Sequence, residues 1–310
     1  MTVLPPFLDA HVHLALIDPA PLLSHGIARV LDLGGYGGGA TGPSAPAPEL
    51  PDTALAGQFL TAPGGYPART VWAPAGSVCE VTTVTDAAAA VDVQEAGGAS
   101  VIKVTLNSVA GAVLASEILD AIVARAHRLG LPVVAHAEGT GEAERAFVAG
   151  VDMLAHTPFS ERIDDELVAA MAGRMTWIST LDIHGHGHRT ASFDLASDNL
   201  ARFHDAGGRM LYGTDLGNGP LPVGLNRQEI EALLRAGLSP DDVIGALTND
   251  AGLRWPTGAT ERVTVIAGER PSDPADFAAW LCTARAVNRS SHHSEAHDAD
   301  DQKDPHDLAV

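Results

Sequence analysis

The sequence predicts a TIM barrel, the closed (β/α)8 form of the α/β class, on three observations. Eight short runs of nearly continuous apolar residues occur between residues 7 and 213, as expected of parallel strands buried on both faces. Helical patterns lie between several of these runs, and a chain of 310 residues is within the range of a single barrel. An open doubly wound sheet is the alternative, but no glycine fingerprint follows the first strand.

The predicted strands and helices follow one another in barrel order. The strands are predicted at residues 7–13, 28–32, 57–61, 100–105, 132–136, 152–156, 176–180 and 209–213. The clearest helix, at residues 116–129, carries Ile118, Leu119 and Ile122 on one face and ends before Gly130. Further helices are predicted at residues 141–149, 164–172, 199–206, 228–236 and 240–253.

The chain is predicted to consist of three parts. Residues 1–255 contain the barrel, and residues 256–289 form a short extension with strands at 261–267 and 284–288. Residues 290–310 carry six acidic residues, one lysine and four histidines with few large apolar residues, which predicts a disordered tail.

The composition narrows the range of partners and compartments. A formal charge of −20 at pH 7 opposes binding to nucleic acid or to an anionic membrane, so we expect a small-molecule substrate. No run of eighteen apolar residues and no N-terminal signal pattern occurs, and Cys79 and Cys282 form no disulfide framework. These features predict a cytoplasmic protein and leave a homo-oligomer open.

Side chains that can bind a metal ion stand at the ends of the predicted strands. His11 and His13 are two residues apart in a strand, so their side chains point to the same side. Because the carboxyl ends of barrel strands converge on one mouth, four histidines and a carboxylate there suit a borderline ion such as Zn²⁺. The full set is His11, His13, Lys103, His136, His156 and Asp215.

Lys103 is the unusual member of this set. An ammonium between Val101 and Val104 is costly to bury and repels a metal ion. Either the amine loses its proton and captures CO₂, giving a carbamate that bridges two metal ions, or it pairs with a carboxylate such as Asp215 at a mononuclear site. The carbamate is favoured because it turns an electrostatic liability into an anionic ligand.

The motifs around these residues resemble those of the amidohydrolase superfamily, in particular its imidazolonepropionase-like and prolidase-like (Xaa-Pro and Xaa-Arg dipeptidase-type) branch. The resemblance extends over about residues 4–255 and consists of motifs in the same order. They are FLDAHVH at 7–13, GIARVLDLGG at 26–35, GGASVIK at 97–103, HRLGLPVVAH at 127–136, GVDMLAH at 150–156 and GTD at 213–215.

The resemblance implies a binuclear centre with two divalent ions, most simply Zn²⁺, and CO₂ held as a carbamate. The implied ligands are His11, His13 and Asp215 for the buried ion, His136 and His156 for the second, and carboxylated Lys103 between them. It further implies that a metal-bridging hydroxide attacks the carbonyl of a small amide, dipeptide or cyclic amide, while Asp215 accepts its proton and passes it to the leaving group.

Three other functions remain open. A lactone or ester hydrolase would use the same site. A mononuclear deaminase could use Glu138 as a proton relay, but Lys103 argues against it because such deaminases generally lack the bridging lysine. A degenerate barrel that serves as a binding or scaffold protein is opposed by the intact set of ligands.

The chain departs from the family pattern in two places. Relatives carry a small β-sandwich built from segments on both sides of the barrel. Only eight residues precede Asp9, so we expect this domain to be absent or vestigial. Relatives also often have a histidine where this chain has Tyr66, and a phenol is a poorer proton shuttle near pH 7.

The substrate pocket is expected to come from loops at the barrel mouth. Glycine-rich and proline-rich segments at residues 34–39 and 62–66 would shape its wall. The segment after the seventh strand should overhang the site. The candidate substrate-binding residues are Tyr66, His184, His186, His188 and Arg189, with Arg69, Arg189 and Arg227 as candidates for binding a substrate carboxylate.

Overall fold

The computed structural model describes residues 1–36, 47–255 and 261–289. The strands in these ranges are β1 (Thr2–Leu4), β2 (Leu8–Val12), β3 (Arg29–Asp32), β4 (Asp52–Leu55), β5 (Phe59–Thr61), β6 (Val78–Glu80), β7 (Ile102–Asn107), β8 (Val133–Glu138), β9 (Met153–Leu154), β10 (Thr176–Ile178), β11 (Arg209–Leu211), β12 (Arg262–Ile266) and β13 (Arg285–Asn288). The helices are α1 (Val84–Ala96), α2 (Ser116–Arg128), α3 (Glu142–Val148), α4 (Asp165–Ala172), α5 (Ala191–Asp205), α6 (Arg227–Arg235), α7 (Pro240–Thr248) and α8 (Pro274–Leu281).

The parallel strands form two sheets that meet at both ends. One sheet has the order β2-β3-β4, and the other runs β11-β10-β9-β8-β7-β5-β6. At one junction the Ser100 amide, just before β7, donates to the Leu55 carbonyl at 2.7 Å. At the other, the Ala10 amide donates to the Tyr212 carbonyl at 2.9 Å. With β4 and β5 as two halves of one barrel strand, these bonds link eight strands in the predicted order, and the predicted fold class is confirmed.

Alternate residues of the barrel strands point inward, as the pleat requires. One buried cluster takes residues such as Leu31, Val101, Val134 and Leu211 from different strands, and Leu253 packs with them. The intervening residues pack in a second cluster with the helices around the barrel. Two residues beyond Val101 and Val134 on the same faces lie Lys103 and His136, so the strand period carries both side chains to the mouth.

The first barrel strand, β2, changes face along its length. Leu8 and Ala10 belong to the inner cluster, yet His11 and His13 both reach the mouth. A regular strand would place residues 10 and 11 on opposite faces. The pairing of β2 with β3 shifts register between Asp9 and Val12, and the His11 amide donates to the Asp9 carboxylate at 3.1 Å rather than along a regular ladder. This irregularity aims both histidines at the same site.

Several predicted elements need correction. The third barrel strand is longer than residues 57–61, because β4 precedes β5 with a short break between them. Helix α5 begins eight residues before the predicted residue 199, where the Thr190 hydroxyl accepts a hydrogen bond from the Phe193 amide. Helices α1 and α8 and the short strand β6 are missing from the prediction. Most apolar positions of α1 are alanines, which give little contrast between its two faces.

A small antiparallel sheet of order β1-β12-β13 lies beside the barrel. Thr2 pairs with Ile266, and Val263 pairs with Val287. The two predicted C-terminal strands are therefore present. The predicted boundary at residue 255/256 and the tail at 290–310 fall on or next to residues outside the described ranges, so the three-part division stays a prediction. Among the described helices, none has the length and apolar character needed to cross a membrane.

Candidate metal centre

Two histidines at the end of β2 both point their Nε2 atoms at the carboxylate of Asp215. His11 Nδ1 donates a hydrogen bond to the Ala155 carbonyl at 2.8 Å, and His13 Nδ1 donates to the Gly34 carbonyl at 2.7 Å. The Nε2 atoms of both rings lie 3.1 Å from Asp215 Oδ1. All three side chains are buried. The two backbone carbonyls fix the ring orientation and the tautomer of each histidine.

Asp215 is held in place by a left-handed backbone and a neighbouring amide. Its φ angle is 59°, which non-glycine residues rarely adopt, and its Oδ2 accepts a hydrogen bond from Asn218 Nδ2 at 2.8 Å. The preceding Thr214 donates through its hydroxyl to Asp9 Oδ2 at 2.6 Å. Asp9 thus ties the end of β2 to the segment after β11 and fixes the distance between His11 and Asp215.

This donor set fits a cation. A carbonyl oxygen only accepts hydrogen bonds, so each Nδ1 carries the proton and a neutral ring leaves a lone pair on Nε2. Burial lowers the pKa of His11 well below its usual value, which keeps that ring neutral. Burial would raise the pKa of Asp215, but the adjacent histidines hold it well below its usual value. Burial opposes charge on His13, but the adjacent carboxylate of Asp215 outweighs it and raises the pKa of this ring. The two nitrogens and the carboxylate oxygen therefore converge at a point that favours positive charge, either a proton on His13 or a cation in its place.

His156 and His136 extend the cluster away from β2. One ligand atom each of His11, His156 and Asp215 lies within 4.8 Å of the others, a spacing that a single ion could span. His156 Nδ1 lies 2.9 Å from the Thr180 hydroxyl, which orients its ring. The rings of His136 and His156 are 5.0 Å apart between centroids. Burial lowers the pKa of both histidines, so both are neutral and able to bind a metal.

Lys103 is buried on β7, and its side-chain nitrogen makes no hydrogen bond or ion pair with any residue that the structure describes. Its exposed fraction is 2%. Burial lowers the pKa of its ammonium to about 7, against the opposite influence of Asp215 and Asp32. A substantial neutral fraction is therefore present near pH 7, and a neutral amine is the form that reacts with CO₂. The alternative of an ion pair between Lys103 and Asp215 is not found in this structure.

Asp32 supports the same mouth from β3. Its two carboxylate oxygens accept hydrogen bonds from the Leu14 and Gly34 amides, both at 2.8 Å. The second bond positions the Gly34 carbonyl that orients His13. Burial raises the pKa of Asp32 to about 6 and that of Asp9 to about 7. Both aspartates lie inside the family-like motifs at residues 7–13 and 26–35, but no role was predicted for either.

The cluster opens into a cavity of about 320 Å³. All six predicted metal ligands line this cavity. Tyr66 stacks on His136 with ring centroids 5.1 Å apart, and the Thr105 hydroxyl donates to the Tyr66 carbonyl at 2.5 Å. His184 also lines the cavity, in a 3-10 turn that follows β10. Two of the five predicted substrate-binding residues thus lie where they can touch a substrate.

The other candidates lie outside the cavity wall. His186 and His188 are exposed, as is Arg69. Arg189 is 81% exposed and pairs with Asp194 at 2.7 Å. Arg227 pairs with Glu231 at 2.7 Å on the surface of α6. Of the three histidines in residues 184–188, only His184 lines the cavity, together with the preceding Ile183.

Several residues of the cavity wall were not predicted from the sequence. Phe59, Trp72, Phe159 and Asn218 all line it. Three of them lie in loops without a periodic pattern, so nothing in the sequence indicates where their side chains point. Phe59 stands in a predicted strand and could have been placed at the mouth, because it follows the barrel period and pairs with Lys103 across β5 and β7.

Several solved structures of hydrolases have a fold similar to that of this chain. A Xaa-Pro dipeptidase with bound methionine in its active site matches with a TM-score of 0.72 and 20% identity. The matched region covers 93% of this chain and 85% of the dipeptidase chain. Ochratoxinase from A. niger has a TM-score of 0.71 and 20% identity, with coverage of 91% and 81%. A prolidase, described as putative, from Bifidobacterium longum has a TM-score of 0.67 and 21% identity, with coverage of 96% and 84%.

These similarities show that the chain has the fold of amidohydrolase-type barrels, and the resemblance predicted from its motifs is confirmed at that level. No family model matches the sequence, and no curated protein does either. The fold and the donor set together define the class of site, whereas the substrate has to be inferred from this chain's own residues.

Proposed function

We propose that the protein is a metal-dependent hydrolase that cleaves the C–N bond of a small amide, dipeptide or cyclic amide. The observation that carries this proposal is the convergence of His11 Nε2, His13 Nε2 and Asp215 Oδ1 in a buried mouth. A buried set of this kind requires a cation, and its position at the carboxyl ends of barrel strands is where active sites of this fold lie. The names of the similar proteins, a dipeptidase and a prolidase among them, support the same reaction class.

The finer proposal is a binuclear centre with two divalent ions, most simply Zn²⁺. The ligands would be His11, His13 and Asp215 for one ion, His136 and His156 for the other, and the carbamate of Lys103 between them. The pKa of about 7 and the absence of a described partner make Lys103 suited to carboxylation. When bound, the ions would polarise the substrate carbonyl and lower the pKa of a water molecule.

The remaining chemistry falls to side chains of the chain itself. Asp215 is ionised and oriented by Asn218, so it can accept a proton from the attacking water and deliver it to the leaving nitrogen. Burial raises the pKa of Tyr66 above its usual value, so its phenol keeps the proton and can donate it to a substrate oxygen. Aromatic walls around the mouth exclude water from the reaction.

We further propose a cytoplasmic location and a small-molecule substrate, with no nucleic acid or membrane as partner. Cys79 and Cys282 are both free thiols in the structure, which agrees with a reducing compartment. The acidic charge of the chain supports the exclusion of polyanionic partners. A homo-oligomer remains compatible with this proposal.

The experiment that tests the function measures metal content per chain and intact mass under gentle ionisation. It uses full-length protein and protein without residues 290–310, whose histidines could bind metal adventitiously. Two ions per chain and a mass increase of one CO₂ that Lys103→Ala abolishes would support the binuclear hydrolase. A panel of amides, dipeptides and lactones, with ammonia release from amino-heterocycles, then separates amidase, lactonase and deaminase. Protein that binds no Zn²⁺ and keeps an unchanged Tm after Zn²⁺ addition would contradict the proposal.

A further inference from the structure

We propose that the substrate is neutral and aromatic around its scissile bond, and that the cavity discriminates against small amides with a free carboxylate. This inference names the substrate class of the hydrolase proposed above and rests on that function. It follows from what the cavity wall offers to a ligand beyond the metal-binding side chains.

One side of the wall is a group of three aromatic rings. Trp72 lies with its ring centroid 5.9 Å from both Phe59 and Tyr66, and 6.2 Å from His13. All three rings line the cavity next to the candidate ligands. Such a surface favours a planar, apolar group on the substrate, since aromatic pairs add attraction beyond the burial of apolar area.

A second aromatic group lies beside His156. The ring centroid of Phe159 is 4.1 Å from that of His184 and 6.1 Å from that of His156. Burial lowers the pKa of His184 to about 4, so this ring is uncharged. Its Nε2 is buried and lacks a hydrogen-bond partner among the described residues. His184 therefore offers a single neutral polar atom, which suits an uncharged oxygen or N–H group on a substrate.

The described wall holds no cation that could bind a carboxylate away from the metal-binding side chains. Lys103 is the one lysine or arginine that lines the described cavity, and it belongs to the proposed metal centre. Arg189 and Arg227 are engaged with Asp194 and Glu231 on the surface. A substrate carboxylate would lose its hydration in this cavity without gaining a partner, which is a cost to binding.

Glu138 adds repulsion to this cost. Its side chain is 28% exposed, lines the cavity and accepts a hydrogen bond from Asn107 Nδ2 at 2.6 Å. Its Oε2 also lies 3.2 Å from His136 Nε2, so the carboxylate is held at the cavity wall. An anionic substrate would approach this fixed negative charge, whereas a neutral one would not. Discrimination by an unfavourable contact is as effective as selection by a favourable one.

The test uses a matched pair of substrates with the same scissile bond. N-benzoylglycine carries a carboxylate, N-benzoylglycinamide replaces it with a neutral amide of nearly equal size, and benzoate release is measured for both on full-length Zn²⁺-loaded protein. We expect kcat/KM to be at least about tenfold higher for the neutral member. If neither compound is hydrolysed, the same pair serves as inert ligands, and calorimetry should give a Kd at least about tenfold lower for the neutral one.

Two variants assign the preference to residues. Trp72→Leu should lower kcat/KM for N-benzoylglycinamide about tenfold while sparing N-acetylglycinamide, which lacks the ring. Val71→Ala, at the fully exposed neighbouring position, is the matched control and should change neither. Glu138→Gln should narrow the ratio between the neutral and anionic substrates at least about threefold, whereas a purely structural role would lower both rates equally.

The outcomes separate this inference from the proposed function. Hydrolysis of both compounds with equal or better turnover of the carboxylate overturns the inference and leaves the hydrolase intact. Preferential binding of the neutral compound without hydrolysis of any panel member supports the inference about the cavity and removes the proposed reaction. An unchanged ratio in Glu138→Gln together with an unaffected Trp72→Leu variant would also overturn the inference.

Discussion

The fold brings the candidate metal ligands together, and hydrogen bonds also fix the orientation of three of their rings. His11 is fixed by the Ala155 carbonyl, His13 by the Gly34 carbonyl and His156 by the Thr180 hydroxyl. Each of these contacts uses the nitrogen that faces away from the mouth and leaves the other nitrogen free for a metal ion. Such supporting contacts raise the affinity of a site because the side chains lose little freedom when an ion binds.

The proposed bridging role of Lys103 can be tested by truncating its side chain. Lys103→Ala should lose most of the second metal ion and nearly all turnover, because the bridge between the two groups of histidines is removed. Short carboxylic acids added to the variant should restore part of both, since they supply the two oxygens of a carbamate. Metal content and turnover with and without acetate are the measurements.

The matched control for that variant is Lys103→Met, which keeps most of the side-chain volume but has no amine. If it behaves like Lys103→Ala, the lost function belongs to the amine and not to the filled space. Full activity in either variant would show that Lys103 does not bridge metal ions.

Asp215 is the predicted proton carrier, and its amide tests that role. Asp215→Asn should retain much of its metal, because the two histidines and the oxygen of the amide remain. It should lose turnover by about 10²- to 10⁴-fold, since an amide does not take up the proton of the attacking water. Asp194→Asn, at a surface carboxylate, is the control. Turnover close to wild type in Asp215→Asn would remove this residue from the mechanism.

At the scale of elements, the sequence predicted best where burial is uniform. Strands such as β7 and β8 are buried along nearly their whole length, and their apolar runs identify them directly. The amphipathic helix α2 was likewise predicted within one residue. Helix α1 was missed because most of its apolar positions are alanine, and the register shift in β2 leaves no trace in composition. Tertiary contacts, not local pattern, set these features.

The candidate site shows the same contrast between residues on strands, which were predicted, and residues on loops, which mostly were not. All six predicted metal ligands line one cavity, because strand ends in a barrel converge whatever the loops do. The substrate-facing residues depend on loops, whose course the residue types did not reveal. Trp72 was overlooked, and only His184 of the three histidines in residues 184–188 lines the cavity. Turn chemistry at glycines decides which side chain of such a segment points inward.

One buried network links the turn that carries His184 to helix α6. Glu229 Oε2 accepts a hydrogen bond from the Asp182 amide at 2.7 Å, and Asp182 Oδ2 accepts one from Asn226 Nδ2 at 2.8 Å. Burial raises the pKa of Glu229 from 4.5 to about 7. The folded state therefore holds this proton more tightly than the unfolded state. The stability it contributes is complete below pH 4.5 and is lost as the pH rises through about 7.

This linkage predicts the behaviour of Glu229→Gln. The amide is neutral at every pH, so the variant should gain stability relative to wild type as the pH rises from 5 to 8, by on the order of 3 kcal/mol. Denaturant unfolding at the two pH values measures the change. Glu95→Gln, at an exposed position of α1, should show no such trend. A constant difference between Glu229→Gln and wild type would mean that Glu229 is ionised in the fold throughout.

At the scale of the whole molecule, a buried ion pair joins the small sheet to the barrel. Arg262 on β12 and Asp52 on β4 are almost fully buried, and Arg262 Nη1 lies 3.1 Å from Asp52 Oδ1. Arg262 Nη2 also donates to the Pro48 carbonyl at 3.0 Å. The small antiparallel sheet is thus anchored to β4, the edge strand of the sheet β2-β3-β4. We infer that the described parts of the chain unfold as one unit.

Arg262→Met tests that inference through stability. Because the buried carboxylate of Asp52 loses its guanidinium, the free energy of unfolding should fall by about 3–5 kcal/mol. Arg162→Met, which removes the exposed contacts of Arg162 with Asp165 and Asp198, should cost less than about 1 kcal/mol. Unfolding should stay a single transition when it is followed both by circular dichroism and by Zn²⁺ release, since the anchor and the mouth share the strands β2, β3 and β4. Two separate transitions in Arg262→Met, with the metal retained through the first, would show instead that the small sheet is an appendage and that the barrel alone maintains the site.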